Sequence, residues 1–356
     1  MDNNQEYFGV LPDDRSEKAK SLDYDFYEIA SAFKVPAWVE VKPEDWLRLK
    51  IRNQWTSSSC VGQAIAKAFE YKFGEPYSAK PIYTNRKNKP DKGMWLYDGM
   101  DIGKKIGTVP ERLCPSQMMN EKEMNEPVDM SQFDPKDIKK IKAYFYINPQ
   151  DIDAIAQALD SGNPVVLTFG SNYKEWTEVP ELSTDPVQWG HCVCNPKDRT
   201  LWTGGKYKNA KAIVIDESWG VGINADGLLK VDGKRLITEE FLKARCTGAI
   251  YPIFETGEVS DKPSYNFTRN LGVGLKNDPD VKALQAILSY EKDANGNPLF
   301  PLGAEWHTGN YGNMTMNAVK KFQEKHADQI LKPLGLIKGT GYFGNATRTF
   351  ANQEYK

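Results

Sequence analysis

"NQWTSSSCVGQAIAKAFEY" (residues 53–71) sets a cysteine, Cys60, directly before a run in which Val61, Ala64, Ile65, Ala68 and Phe69 recur at helical spacing. The pattern predicts a helix with a buried stripe, beginning at or just after Cys60. The plainest role for such a cysteine is that of a small buried hydrophobe. Three other stretches offer it a second role. Gln54 lies just upstream, His191 lies in "VQWGHCVC" (187–194), and "DESWG" (216–220) sets acidic side chains before Ser-Trp-Gly. A thiol near neutral pH is mostly protonated, so attack by its sulfur needs a base or an imidazolium alongside and gains from the positive end of a helix. His191 can supply the first, and the helix starting at Cys60 the second.

The chain has 356 residues, enough for a large core and more consistent with two domains than one. With 46 Lys and Arg against 48 Asp and Glu, it has no electrostatic case for a nucleic-acid partner. The start "MDNNQEYFGVLPDDRSEKAK" (1–20) has no basic-then-apolar pattern and no small-residue cleavage site, and no apolar run approaches membrane-spanning length. No signal peptide and no membrane insertion are expected, which places synthesis in the cytoplasm. The cysteines, at 60, 114, 192, 194 and 246, are odd in number and scattered, so they give no disulfide framework and suit a reducing compartment. Cys192 and Cys194 flank His191, but neighbours on a strand face away from it. With three histidines and no paired Cys-x-x-Cys, neither a metal site nor a cofactor is expected.

Along the chain, helices come first and strands later. "DPKDIKKIKAYFYIN" (134–148) reads as a polar helical start leading into a strand at 142–147, and "NPQDIDAIAQALDSG" (148–162) as a helix stopped at Gly162. "NPVVLTFG" (163–170), "AKAIVIDESWG" (210–220) and "GLLKV" (227–231) read as strands. The polar stretch "ETGEVSDKPSYN" (255–266) reads as a linker. Beyond it, "TGNYGNMTMNAVKKF" (308–322) is echoed by "GTGYFGNATRTFANQ" (339–353), and "DPDVKALQAILSY" (278–290) supplies another apolar helical face. Helices this short bury their stripes only by packing together, as one module of about 90 residues.

The first 255 or so residues resemble the papain-like (C1-type) cysteine peptidases. "NQWTSSSC" is similar to their Asn-Gln-Gly-Ser-Cys-Gly-Ser-Cys segment, "WGHCVC" to their Gly-His-Ala-Val segment and "ESWGVGINADGLLKV" to their Asn-Ser-Trp-Gly segment, in the same chain order. The resemblance implies an α+β fold with a helical subdomain and an antiparallel β subdomain over residues 35–254, preceded by an extension, 1–34. It also implies that Cys60 is the nucleophile, His191 its ion-pair partner, Gln54 and the Cys60 backbone N–H the oxyanion hole, and Trp219 a shield over the hydrogen bond behind His191. Glu217 stands where the family has asparagine. A carboxylate can also accept the far ring N–H, with Asp216 as the alternative orienter, and on a strand only one of the two can face His191. Ser57 replaces a disulfide cysteine of secreted members, Val61 replaces tryptophan, and 34 residues are too few for a long inhibitory pro-segment. "YSAKPIYTNRKNKPDKGMWLYDGMDIGKKIGTVPE" (77–111) resembles the matching part of prokaryotic and viral members and is assigned to scaffold, with Arg86 and Asp98 in packing roles.

Residues 267–356 resemble the three-helix peptidoglycan-binding module, through "DVKALQ", "YGNMTMNAVKKFQ" and "GYFGNATRTF". Thr315 and Thr347 lie near helix starts, where their hydroxyls can cap backbone N–H groups. Tyr311, Tyr342 and Phe343 either line a sugar or peptide groove or form the module's core. Together the two resemblances imply a peptidase acting on peptides or proteins and directed to bacterial cell wall, of the kind carried on a phage particle or released at host lysis. Two competitors stand beside this reading: an inactive papain-like structural or wall-binding virion protein, and a peptidase acting on proteins only.

Overall fold

The computed structural model describes residues 9–30, 33, 37–203, 205–220, 228–229, 231–254, 262–294, 298–301 and 306–356. The chain forms two compact units, Met1–Arg15 with Lys34–Glu255, and Ser16–Phe33 with Thr256–Lys356. The expected extension at 1–34 is therefore divided between them rather than being one piece. The expected domain start near Val35 and most of the expected linker at 255–266 lie outside the described residues.

In the first unit, β1 (Val10–Leu11) pairs in parallel with β2 (Met94–Trp95). Helix α1 (Cys60–Phe73) starts at the cysteine and buries Val61, Ala64, Ile65, Ala68 and Phe69. Helix α2 (Leu96–Lys105) follows β2. Then come β3 (Ile141–Ile147), α3 (Ile152–Asp160), β4 (Val165–Ser171), β5 (Trp189–Asn195), β6 (Arg199–Trp202), β7 (Ala210–Asp216), β8 (Lys234–Thr238), α4 (Glu239–Arg245) and β9 (Cys246–Phe254). Strands β3 to β9 form one antiparallel sheet in the order β3-β9-β4-β5-β7-β6, with β8 also paired to β7. Alternate residues of β3 are buried, as period-2 patterning on a half-covered sheet requires. Cys192 and Cys194 of β5 lie in the apolar core with α1, Ile250 and Phe254. Arg86 and Asp98 are buried packing groups: Arg86 donates to the Tyr83 carbonyl at 2.9 Å, and Asp98 accepts the Lys87 N–H at 2.9 Å.

Two local expectations fail. Residues 134–140 form turns, not a helix, because Asp134 Oδ1 takes the Lys136 N–H and the Lys139 backbone bridges to Thr108. Of the strand expected at 227–231, Gly227 and Lys230 lie outside the described residues, and Leu228–Leu229 is a bend.

The second unit contains α5 (Pro279–Tyr290), α6 (Asn313–Lys325) and α7 (Asn345–Tyr355). Its internal repeat is built on two buried glutamines. Gln285 accepts the Gly309 N–H at 2.9 Å and donates to the Asn310 carbonyl and Thr315 Oγ1, both at 3.0 Å. Gln323 accepts the Gly341 N–H at 3.0 Å and donates to the Tyr342 carbonyl at 2.8 Å and to Thr347 Oγ1 at 2.9 Å. Thr315 and Thr347 therefore serve the glutamines and do not cap; the N-cap positions are Gly312 and Gly344, which have no side chain to do so. At α6 the carboxylate of Glu28 takes over, accepting the N–H groups of Asn313 at 3.1 Å and Met314 at 3.2 Å. Among the three aromatics expected to line a groove, Tyr311 (1% exposed) and Phe343 (0%) belong to the core, and Tyr342 (52%) faces solvent. A large ring behind a tight turn fills space that three short helices leave open.

Replacing Gln323 by Ala strands buried N–H and C=O groups, an expected loss of about 1–3 kcal/mol. Denaturant unfolding of the second unit should show that loss for Gln323→Ala. Tyr342→Ser, at an exposed ring, should stay within about 0.5 kcal/mol of the parent.

Candidate active site

Two loops are zipped together beneath the site. The Gln54 N–H donates to the Ser218 carbonyl at 2.7 Å, the Gly220 N–H donates to the Arg52 carbonyl at 2.9 Å, and Asn53 bridges to Trp219 between them. Arg52 is itself fixed by Gln63 of α1 at 2.7 Å and by Glu111 at 3.0 Å, so the loop before α1 is tied to the helix it precedes. Ser57 Oγ donates to the Gln54 carbonyl at 2.7 Å and closes the last turn before Cys60. The Gln54 amide is oriented at both ends: Nε2 donates to the Ser57 carbonyl at 2.8 Å, and Oε1 accepts from Ser218 Oγ at 2.7 Å. Trp55, next in the chain, is exposed and left-handed at φ 54°.

Cys60 is the first residue of α1, where unpaired helix N–H groups gather partial positive charge. His191, on β5, lies beside the Cys60 side chain, near enough for the sulfur to bear on its protonation. Its Nε2 meets Glu217 Oε2 at 2.9 Å, which leaves Nδ1 for the thiol. The Trp219 indole stacks on the imidazole at 4.4 Å between centroids, and the rings of Trp176 and Trp189 stand edge-on at 6.0 and 6.2 Å. Glu217 has three further donors: Trp176 Nε1 and Arg235 Nε, both at 2.6 Å to Oε1, and the Ser218 N–H at 3.3 Å to Oε2. Asp216 faces the other way, ion-paired with Lys234 and, at 3.8 Å, with Lys67. The structure thus brings Gln54, Cys60, His191, Glu217 and Trp219 together and leaves Asp216 out.

Burial alone would lower the His191 pKa, but the Glu217 charge, with the neighbouring Cys60 sulfur, outweighs it and pushes the imidazole up to about 9. Burial would likewise raise Glu217; the charges of His191 and Arg235 outweigh it and hold the carboxyl down at about 2. Burial pushes the thiols of Cys192 and Cys194 well up. Those two remain protonated fillers of the core.

No protein-family model and no curated protein matches the sequence. Solved structures do match in shape. Digestive procathepsin L 3 of Tenebrio molitor larval midgut superposes with a TM-score of 0.50 at 14% identity, over 69% of this chain and 76% of its own. The fold is that of the papain-like cysteine proteases. Xylellain, a cysteine protease from Xylella fastidiosa, gives 0.49 at 20% identity over 69% of this chain and 96% of its own. Bromelain from Ananas comosus, in complex with the E64 inhibitor, gives 0.45 at 14% over 60% and 98%.

Two features of this papain-like unit escape a reading of the sequence. One is the pairing of Glu217 with Arg235, whose trace is the adjacent acid pair 216–217 matched by the adjacent basic pair 234–235. The other is what covers the site. Cys60 is 0% exposed, with Gly9 lying against its sulfur and Val10 against the neighbouring Gly190. A Cβ on Gly9 would fall 2.4 Å from Cys60 Sγ, and one on Gly190 would fall 2.6 Å from the Val10 carbonyl oxygen, so only glycines allow the approach. The strand is held by the Met94 N–H on the Gly9 carbonyl at 3.2 Å, by Tyr97 on Asp14 at 3.1 Å and by the Arg15 guanidinium 4.5 Å from the Tyr97 ring.

Because the folded-state His191 pKa lies above its ordinary 6.5, the stabilisation from its protonated form is complete below that pH and is lost as pH rises through about 9. The Glu217 contribution has the opposite sense: it is complete above 4.5 and lost as pH falls through about 2. NMR titration of the histidine rings should find one, His191, still protonated at neutral pH and titrating near 9. Glu217→Gln should bring it down.

Proposed function

We propose that the first unit is a cysteine peptidase in which Cys60 attacks and His191 acts as its proton partner. The observation that carries this reading is the arrangement of a thiol at a helix start, an imidazole beside it, and a carboxylate holding the imidazole from behind. The Cys60 thiolate adds to the substrate carbonyl, and His191 hands its proton to the departing amine, leaving a thioester on Cys60. Water then gives a proton back to His191 as its oxygen attacks the thioester, which releases the acid and restores the pair. The second N–H of the Gln54 amide and the Cys60 backbone N–H serve the oxyanion, stabilising charge that develops only during attack. Trp219 keeps water from the His191–Glu217 bond.

The competing reading, an inactive chain, draws support from the covered thiol. Yet the cover is a short strand whose fit depends on two glycines, not a repacked core, so the chain reads as an enzyme in a closed form. Residues 9–15 do here what a longer pro-segment would do. For the second unit we propose wall-polymer binding, resting on the motif resemblance and on the exposed Tyr342 as its one available aromatic among the three expected.

Opening the cover is the direct test. Gly9→Val has no room for its side chain and should expel the strand, so that an electrophilic peptide epoxide labels Cys60 faster than in the parent. In that background His191→Ala should slow labelling by roughly a hundredfold. Equal labelling with and without His191 would defeat the peptidase reading. Retention of the chain on purified sacculi, weakened by Tyr342→Ala, tests the second proposal separately.

A further inference from the structure

Glu217 poses an electrostatic problem. A thiolate, an imidazolium and a carboxylate in a row carry a net negative charge, and all three groups are buried. An uncompensated buried charge is costly, and a carboxylate with no other partner would hold the imidazolium proton too firmly for release to a leaving amine. Arg235 is placed to resolve both difficulties. It sits on β8, its Nε–H donates to the Glu217 oxygen that His191 does not use, and its guanidinium lies 5.4 Å from the Trp176 ring and 5.8 Å from the Trp219 ring. Trp176 shares the same carboxylate oxygen. The two carboxylate oxygens therefore have separate partners, Oε2 the imidazole and Oε1 the Arg235 cation and the Trp176 N–H.

The other charges packed nearby are paired among themselves. Glu175 is bound by Arg245, and Asp216 by Lys234 and Lys67. The groups facing His191 and Glu217 from the surrounding elements are Cys60 from α1, Arg235 from β8 and Trp176 from the loop after β4.

We propose that Arg235 is a positioning residue that fixes Glu217 as the orienter of His191 and offsets part of the charge that the carboxylate brings to bear on the imidazole. The proposal rests on the reading of His191 as the proton partner of Cys60, but its first test does not require activity. In the full-length chain, removing the positive charge with Arg235→Met leaves Glu217 bearing on His191 alone, so the His191 ring should titrate at higher pH than in the parent. A merely structural role would loosen the His191–Glu217 bond and move the titration the other way, toward the ordinary histidine value. Arg235→Lys, which keeps the charge, should titrate close to the parent. No change or a downward shift in Arg235→Met, or an equal shift in Arg235→Lys, overturns the proposal.

The double variant Glu217→Gln/Arg235→Met replaces the ion pair by one amide and an apolar neighbour, and so it should fold even where Arg235→Met alone does not. In the Gly9→Val background it should recover Cys60 labelling by at least about tenfold over Arg235→Met. Loss of folding in the double variant, or additive losses in labelling, would count against the proposal. Labelling that is indifferent to His191→Ala would instead remove the peptidase reading and leave the titration result standing.

Discussion

Asp216 and Glu217 leave the end of one strand on opposite faces, and each meets a cation from the start of its neighbour. Asp216 pairs with Lys234 directly across the β7–β8 ladder, and Glu217, one residue on, takes Arg235. The alternation of side chains along a strand forces this division, since consecutive residues cannot share a face. One pair closes the core beneath the sheet, where Lys67 of α1 joins it. The other holds His191 against the end of the same helix. The packing of the core and the geometry around His191 are therefore set by adjacent residues, and a slip of one position between β7 and β8 would exchange the two carboxylates and their partners.

Local patterns carry most of the first unit. The helix at Cys60 announces itself through five apolar positions at helical spacing, and β3 through alternation, because each signal is complete within a dozen residues. The site is legible because its parts sit at chain positions with strong neighbours: a helix start, a Gly-His strand and a Ser-Trp-Gly turn. Arg235 is not, since a buried cation in a strand carries no local mark and its partner is 18 residues away. The turns at 134–140 mislead a local reading because lysines and aspartates tolerate either state, and the choice is made by Thr108, distant in sequence.

The second unit shows a different limit. Its repeat is visible in the sequence, but a repeat of residue types does not say which face of a ring meets water. Tyr311 and Phe343 occupy matching places behind the two Gly-bearing turns, each beside a buried glutamine that completes the turn's hydrogen bonds. Aromatics at such places fill core first. Tyr342, displaced by one residue from Phe343, is left on the surface by the same turn that buries its neighbour.

The cover over Cys60 brings these levels together. A glycine at position 9 has no meaning in a local reading, where "YFGVLP" is only an apolar stretch near one end of the sequence. Its meaning comes from the thiol 51 residues later and the glycine on β5 beside His191, which together leave a slot one backbone thick. A strand entering that slot places there a residue with no side chain, at the cost of the backbone freedom that glycine gives up on being ordered. Residues 10 and 11 add two ladder positions, and Asp14 and Arg15 fasten the exit to Tyr97. One added methyl group at position 9 would collide with the sulfur itself. The segment thus covers Cys60 by meeting its sulfur directly, at a position where only a glycine fits.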